Sequence, residues 1–190
     1  MGAFLATLVV VLALLLVPVV AAIVIYNRLI ALRVESDNAW ADIDVQLKRR
    51  HDLIPNLVET TKGYASHEQD TLRRVVEART RAVDARSAPP AERAGAENVL
   101  SGALGRLFAL AESYPQLRAA ESFQELHRSL SQVEEALQQA RRYYNAVVRD
   151  LNTRVAQFPS NLVAGAASIG PREFFEVEVA EQREVPEVRF

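Results

Sequence analysis

Five consecutive residues, Lys48-Arg49-Arg50-His51-Asp52, put three cations, an imidazole and a carboxylate side by side. Those types can do acid–base work or hold an anion, provided a fold aims them at one place. A helix does not do so unaided. Lys48 and Asp52 are i,i+4 partners, as are Asp44 and Lys48, so solvated ion pairs account for these charges without chemistry. Arg50 differs, because Leu47 and Ile54 place it on an apolar stripe. A guanidinium taken out of water needs a partner. Glu112, Glu121 and Glu134 are the carboxylates weighed for it, and the expectation is an interhelical pair that sets register. The catalytic alternative is a polar site inside a helical bundle near Arg50, His51, Asp52 and Glu112.

Other chemistries lack their signatures. The histidines are His51, His67 and His127, and His67 meets His51 only if the chain folds back near Pro55. No H-E-x-x-H, no paired E-x-x-H and no cysteine completes a metal site, so neither metal nor cofactor is expected. A G-x-S-x-G nucleophile turn is missing. Gly102-Ala-Leu-Gly105 lies in a helical pattern with no lysine after it, which is not a phosphate loop. The net charge is −2, with six Glu against three Arg between Arg172 and Arg189. That leaves no basic stripe for nucleic acid, which is not an expected partner.

The elements that must position these residues are helices. From Phe123 to Phe158, apolar residues fall at Phe123, Leu126, Leu130, Val133, Leu137, Ala140, Tyr144, Val147, Leu151, Val155 and Phe158. Steps of three and four make a coiled-coil-like seam, which could pack within one chain or between chains, so self-association stays open. Ser122-Phe-Gln-Glu125 is a capping-box start, with Ser113-Tyr-Pro-Gln116 as an earlier one, and Pro159 is the stop. A first helix carries Leu29, Leu32, Ser36, Ala39, Ile43, Ile54, Leu57 and Thr61 at similar spacing, with Trp40 and Leu47 beside them. Pro55 should kink it. Gly63 reads as its C′ residue and Ser66-His-Glu-Gln69 as the next capping box. A second helix, about 67–87, turns Leu72, Val75, Val76, Ala82 and Val83 inward. Past Ser87-Ala-Pro-Pro90, helicity resumes at Ala91 with Leu100, Leu104, Leu107, Phe108 and Ala111 on one face. Gly102 and Gly105 suggest close approach of another helix. Tyr114-Pro115 turns the chain into the last long helix.

Ahead of this domain, Met1 through Asn27 carry no charged side chain. The 22 residues from Phe4 to Ile25 would span ~33 Å as a helix, enough for a hydrocarbon core ~30 Å thick. The run is too long, and lacks the basic start, for a cleaved signal. It reads as a single-pass anchor, with Tyr26, Arg28 and Arg33 at the membrane interface. No glycine or proline intervenes between Ile25 and His51, so anchor and first helix read as one rod. The basic residues follow the span, which favours an N-terminus outside and the main domain in the cytoplasm.

The tail changes period. Phe175, Val177 and Val179 alternate with Glu176, Glu178 and Ala180, which is strand spacing. A lone strand lies extended along the bundle, stays loose, or adds to a partner's sheet. The last option includes capture of Val188-Arg-Phe190 and its carboxylate by a PDZ-like groove. The organisation expected is anchor 1–27, helical bundle 28–158 and extended tail 159–190.

Several stretches resemble the LemA family of bacterial membrane proteins. They are Tyr26-Asn27, Ile43-Asp-Val-Gln-Leu-Lys-Arg-Arg-His-Asp-Leu-Ile-Pro-Asn-Leu-Val-Glu59, Leu104-Gly-Arg-Leu-Phe108, Glu112-Ser-Tyr-Pro-Gln-Leu117, Tyr144-Asn145, Phe158-Pro-Ser-Asn-Leu162 and Pro186-Glu-Val-Arg-Phe190. The resemblance implies an all-α fold: an N-terminal transmembrane helix continuing into an antiparallel bundle of long helices. It implies no reaction. The expectation is a scaffold or interaction module in the bacterial inner membrane, touching the lipid bilayer and an unidentified membrane-associated protein. Arg50, Pro55, Tyr144 and Phe190 are its candidate structural or interaction residues.

Overall fold

A computed structural model of the chain describes residues 2–65 and 67–176. Six α-helices appear among them: α1 (Gly2–Tyr64), α2 (Gln69–Asp84), α3 (Pro90–Glu112), α4 (Pro115–Ala119), α5 (Glu121–Ala156) and α6 (Ser160–Ala166). No strand occurs among the described residues. Val177, Val179 and the Pro186–Phe190 ending lie outside them, as does Ser66.

Proline sets several boundaries. Pro90 and Pro115 occupy the first turns of α3 and α4, where a missing N–H costs nothing. Pro18 and Pro55 sit inside α1, and the helix continues through both. Pro159 follows the end of α5. Seven of the residues after it are helical rather than extended, which corrects the expected tail. Ser168, at φ 53°, then ends α6 with Ile169 N–H donating to the Ala164 carbonyl, a Schellman-type closure. Gly63 does not cap α1, since the helix runs to Tyr64 and no described glycine has positive φ. The N-cap of α2 is Glu68, with no side-chain capping bond.

The chain forms two compact units. One comprises Met1–Ala41 with Tyr143–Arg172, the other Asp42–Arg142 with Glu173–Phe190. In the first, α1 and α5 run antiparallel. Leu29 and Leu32 pack with Leu151, Ala164 and Ile169, while Trp40 meets Tyr144 at 5.1 Å between ring centroids. Arg172 pins the chain beyond α6. Its guanidinium reaches Asp37 and Ser36, both at 2.6 Å, and its backbone exchanges two hydrogen bonds with Asn152.

In the second unit, Ile54 and Leu57 of α1 join Leu72 and Val75 of α2, Leu100, Leu104 and Leu107 of α3, and Phe123 and Leu130 of α5. Burying each such side chain stabilises the fold by about 1.5–3 kcal/mol. The α1 stripe is buried at every expected position from Leu29 to Thr61, with Leu47 and Arg50 inside it. Thr61 satisfies its hydroxyl by donating to the Leu57 carbonyl. On α2, Val76 and Val83 are exposed instead, because Leu72, Val75, Ala78 and Ala82 define the inward face. Phe158 is 80% exposed, since α5 stops before it and ends the seam.

The described side chains from Phe4 to Val24 are exposed except for Ala22. So much bare apolar helix suits a bilayer and not water.

Gly102 and Gly105 face open space: a Cβ built on either meets no atom within 4 Å. The close helix approach expected there is absent. Gly102→Ala and Gly105→Ala should therefore each stabilise the chain by about 0.5–1 kcal/mol, the propensity difference in an exposed helix. Urea unfolding of the detergent-solubilised chain, followed by circular dichroism, checks this; a loss of stability would reveal a packed glycine face.

Candidate functional site

The buried positions of α3 are Arg93, Ala94, Glu97, Leu100, Leu104, Leu107 and Ala111. Their helical spacing sets two ionic side chains on the apolar face. Glu97 is 0% exposed, so its charge must be met by protein donors. Arg50 Nη1 donates to Glu97 Oε2 at 3.3 Å, and His51 Nε2 lies 2.8 Å from Glu97 Oε1. A carboxylate only accepts, so the imidazole is the donor. Arg50 Nη2 donates to Ser101 Oγ at 2.7 Å and ion-pairs with Glu134 Oε2 at 3.3 Å. From α2, Arg79 Nε donates to the His51 carbonyl at 2.8 Å. Four helices of one unit thus meet around one carboxylate. Asp44 and the buried Arg93 form a further ion pair between α1 and α3.

Arg141 stands beside this cluster. Burial pushes its guanidinium below the ordinary value; Glu134 and Glu97 oppose that shift, and Arg50 adds to it. The group nonetheless stays charged. Its guanidinium carbon lies 5.0 Å over the ring of Phe175, a cation–π contact. Phe175 is itself buried.

Of the carboxylates weighed for Arg50, Glu134 is in contact. Glu112 instead accepts from Arg118 at 2.8 Å. Asp52 is exposed and takes Lys48 at 2.6 Å, which holds its carboxyl below the usual range. Asp44 pairs with Arg93 and not with Lys48. The set Arg50, His51, Asp52 and Glu112 is therefore not convergent: Arg50 and His51 share Glu97, while the other two look elsewhere. His67 is exposed, and His127 packs edge-on against Phe108 at 4.6 Å. Among the described residues no three His, Asp or Glu side chains are placed to hold a metal.

Tyr26, Arg28 and Arg33 are exposed on α1, and Pro55 is exposed within it. Tyr144 is buried against Trp40. Phe190 lies outside the described residues. A groove of about 440 Å³ borders Arg50, Ser101, Phe108, His127, Ser131 and Glu134. Its only buried ionic side chain, Arg50, already has three partners.

Sequence reasoning missed Glu97, Ser101, Arg93 and Arg141. A signal existed for Glu97, which precedes Leu100 by three residues and Leu104 by seven. Arg141 likewise follows Leu137 by four.

A model described as LemA family matches residues 39–190. The chain is 24% identical to "Magnetosome protein MamQ 2" of Paramagnetospirillum magneticum, over 82% of this chain and 66% of that protein. It is 23% identical to "Magnetosome protein MamQ" of Magnetospirillum gryphiswaldense, over 79% and 64%. It is 26% identical to "Protein LemA" of Metamycoplasma hominis, over 73% and 63%. The chain thus spans just under two thirds of the length of the curated relatives it matches.

Glu97→Ala should destabilise the chain by about 3 kcal/mol, the lower end for a broken buried pair, because Glu134 still faces Arg50. Arg50→Met combined with Glu97→Leu should recover most of that loss. Thermal and urea unfolding of the full chain in detergent measure both. A double variant as unstable as Glu97→Ala would contradict the account.

Proposed function

The chain belongs to the LemA family, and on that premise we propose that it is a membrane-anchored helical scaffold that holds a membrane-associated protein partner. One observation carries the reading. Arg50, His51 and Glu97, the ionisable side chains buried together in the second unit, satisfy one another: Arg50 and His51 take the two Glu97 oxygens, and Arg50 also has Ser101 and Glu134. A nucleophile or general base has to be offered to a substrate. Here the cluster ties four helices together instead, which suits a rigid surface better than a reaction centre.

The anchor supports the location. A helix long and apolar enough to cross a membrane lies near the N-terminus, and none of its most apolar stretch is buried. Arg28 and Arg33 follow it, which favours a cytoplasmic main domain. The bacterial inner membrane is the compartment proposed, with the span uncleaved. Arg50 is the register-setting residue and the exposed helix faces are the docking surface.

Cross-linking in native membranes followed by purification in mild detergent should give a stoichiometric protein partner. Recovery of the free chain alone from several membrane preparations would contradict the scaffold reading. Reporters fused at each end should place the N-terminus outside and the C-terminus in the cytoplasm; the opposite result would reverse the orientation without touching the scaffold.

A further inference from the structure

Seventeen residues in the helical domain carry no charge: Val155 through Pro171, between Arg154 and Arg172. They form the bend after α5, all of α6 and its closure. One side of this segment is packed. Ala164 and Ile169 are buried with Leu29 and Leu32, and Val155 and Val163 lie against the same cluster, as does Ile25. The other side is bare. Phe158 is 80% exposed and Leu162 63%. Asn161, Gly165 and Ala166 are exposed beside them.

The height of this bare side along α1 can be read from the packing. Trp40 faces Tyr144. Antiparallel helices keep step, so the end of α5 at Ala156, twelve residues beyond Tyr144, lies near the level of Arg28, twelve residues before Trp40, and Phe158 follows in the bend just past it. Tyr26 and Asn27 close the uncharged run of α1, and Arg28 follows. The exposed phenylalanine and leucine therefore sit at the depth where a spanning helix leaves the hydrocarbon. Arg154 is exposed one turn before Phe158, on the side where lipid phosphates would lie. Large apolar side chains are unfavourable in water. The same side chains are favoured in a bilayer interface. Both ends of the segment are held: Val155 packs on the cluster at one, and Arg172 binds Asp37 and Ser36 at the other.

We infer that the bend and α6, residues 158–166, form a second membrane contact, with Phe158 and Leu162 inserted into the lipid interface beside the anchor. This rests on the anchor reading above. The anchor would then be gripped from the side by a monotopic wedge, and the first unit would meet the bilayer at two places.

The chain has no cysteine, so single labels are clean. Phe158→Cys, Leu162→Cys, Val20→Cys and Asn38→Cys are each labelled with an environment-sensitive fluorophore. The full chain is reconstituted in vesicles of phosphatidylethanolamine and phosphatidylglycerol, and lipids bearing a nitroxide near the headgroup are added. Labels at 158 and 162 should be blue-shifted and lose about half or more of their emission, as expected of an interfacial side chain. The Val20 label should be lipid-exposed, and the Asn38 label, about 16 Å further along α1 than Asn27, should behave as in water. Labels at 158 and 162 that match Asn38 while Val20 is quenched would overturn the wedge and leave the anchor standing. A Val20 label without lipid contact would overturn both. Labels at 158 and 162 hidden from a water-soluble quencher yet untouched by the lipid nitroxide would assign the patch to a second copy or another protein, and would overturn the inference.

Discussion

A carboxylate with no access to water must be surrounded by donors, and Glu97 is such a carboxylate. Its two oxygens take Arg50 and His51, and Arg50 extends the contact to Ser101 and Glu134. The arrangement has a geometric consequence. Rotating or sliding α3 by one residue against α1 would bury Glu97 against hydrocarbon and strand Arg50, at a cost of several kcal/mol. Apolar packing alone is more forgiving, since leucines exchange neighbours at small cost. The leucine seams supply most of the burial, and the ionic centre selects which register is buried.

The first unit solves a different problem with different chemistry. Among its described residues there is no buried ionic centre of that kind. Its helices are aligned by Trp40 against Tyr144, by Tyr143 donating to Glu35, and by Arg172 clamped to Asp37 and Ser36. Near the anchor the polar contacts give way to Leu29, Leu32, Leu151 and Ile169. That gradient follows from solvent: hydrogen bonds and ion pairs compete with water, while apolar contact suits the approach to a bilayer. Family membership and the long apolar helix fit the same gradient without assigning a reaction.

Much of this was legible as periodicity. The α1 stripe and the α5 seam each need only local geometry, because side chains three and four apart share a face. The seam holds from Phe123 to Leu151 and fails at Phe158, where Pro159 had already signalled the end of the helix. Errors came where periodicity was ambiguous. Val76 and Val83 lie beside the true face of α2, about 100° from Val75 and Ala82, and valine types alone cannot say which neighbour turns inward. Gly102 and Gly105 looked like a packing groove, yet small residues mark close approach only if a second helix arrives. α6 was unreadable because seven residues show barely two turns of any period.

The sequence by itself determined the long helices, the span near the N-terminus and the presence of one arginine on an apolar stripe. Those depend on interactions within a few residues of chain. Only the tertiary structure decided that Arg50 and His51 close on Glu97, 47 and 46 residues away, while Asp52 and Glu112 turn outward. It also decided that Tyr144 of α5 meets Trp40 of α1, which fixes how the two helices run past each other. Such pairings are set by how helices cross and how far loops carry them, and many carboxylates along a chain are equally plausible partners until the burial of one leaves it no alternative.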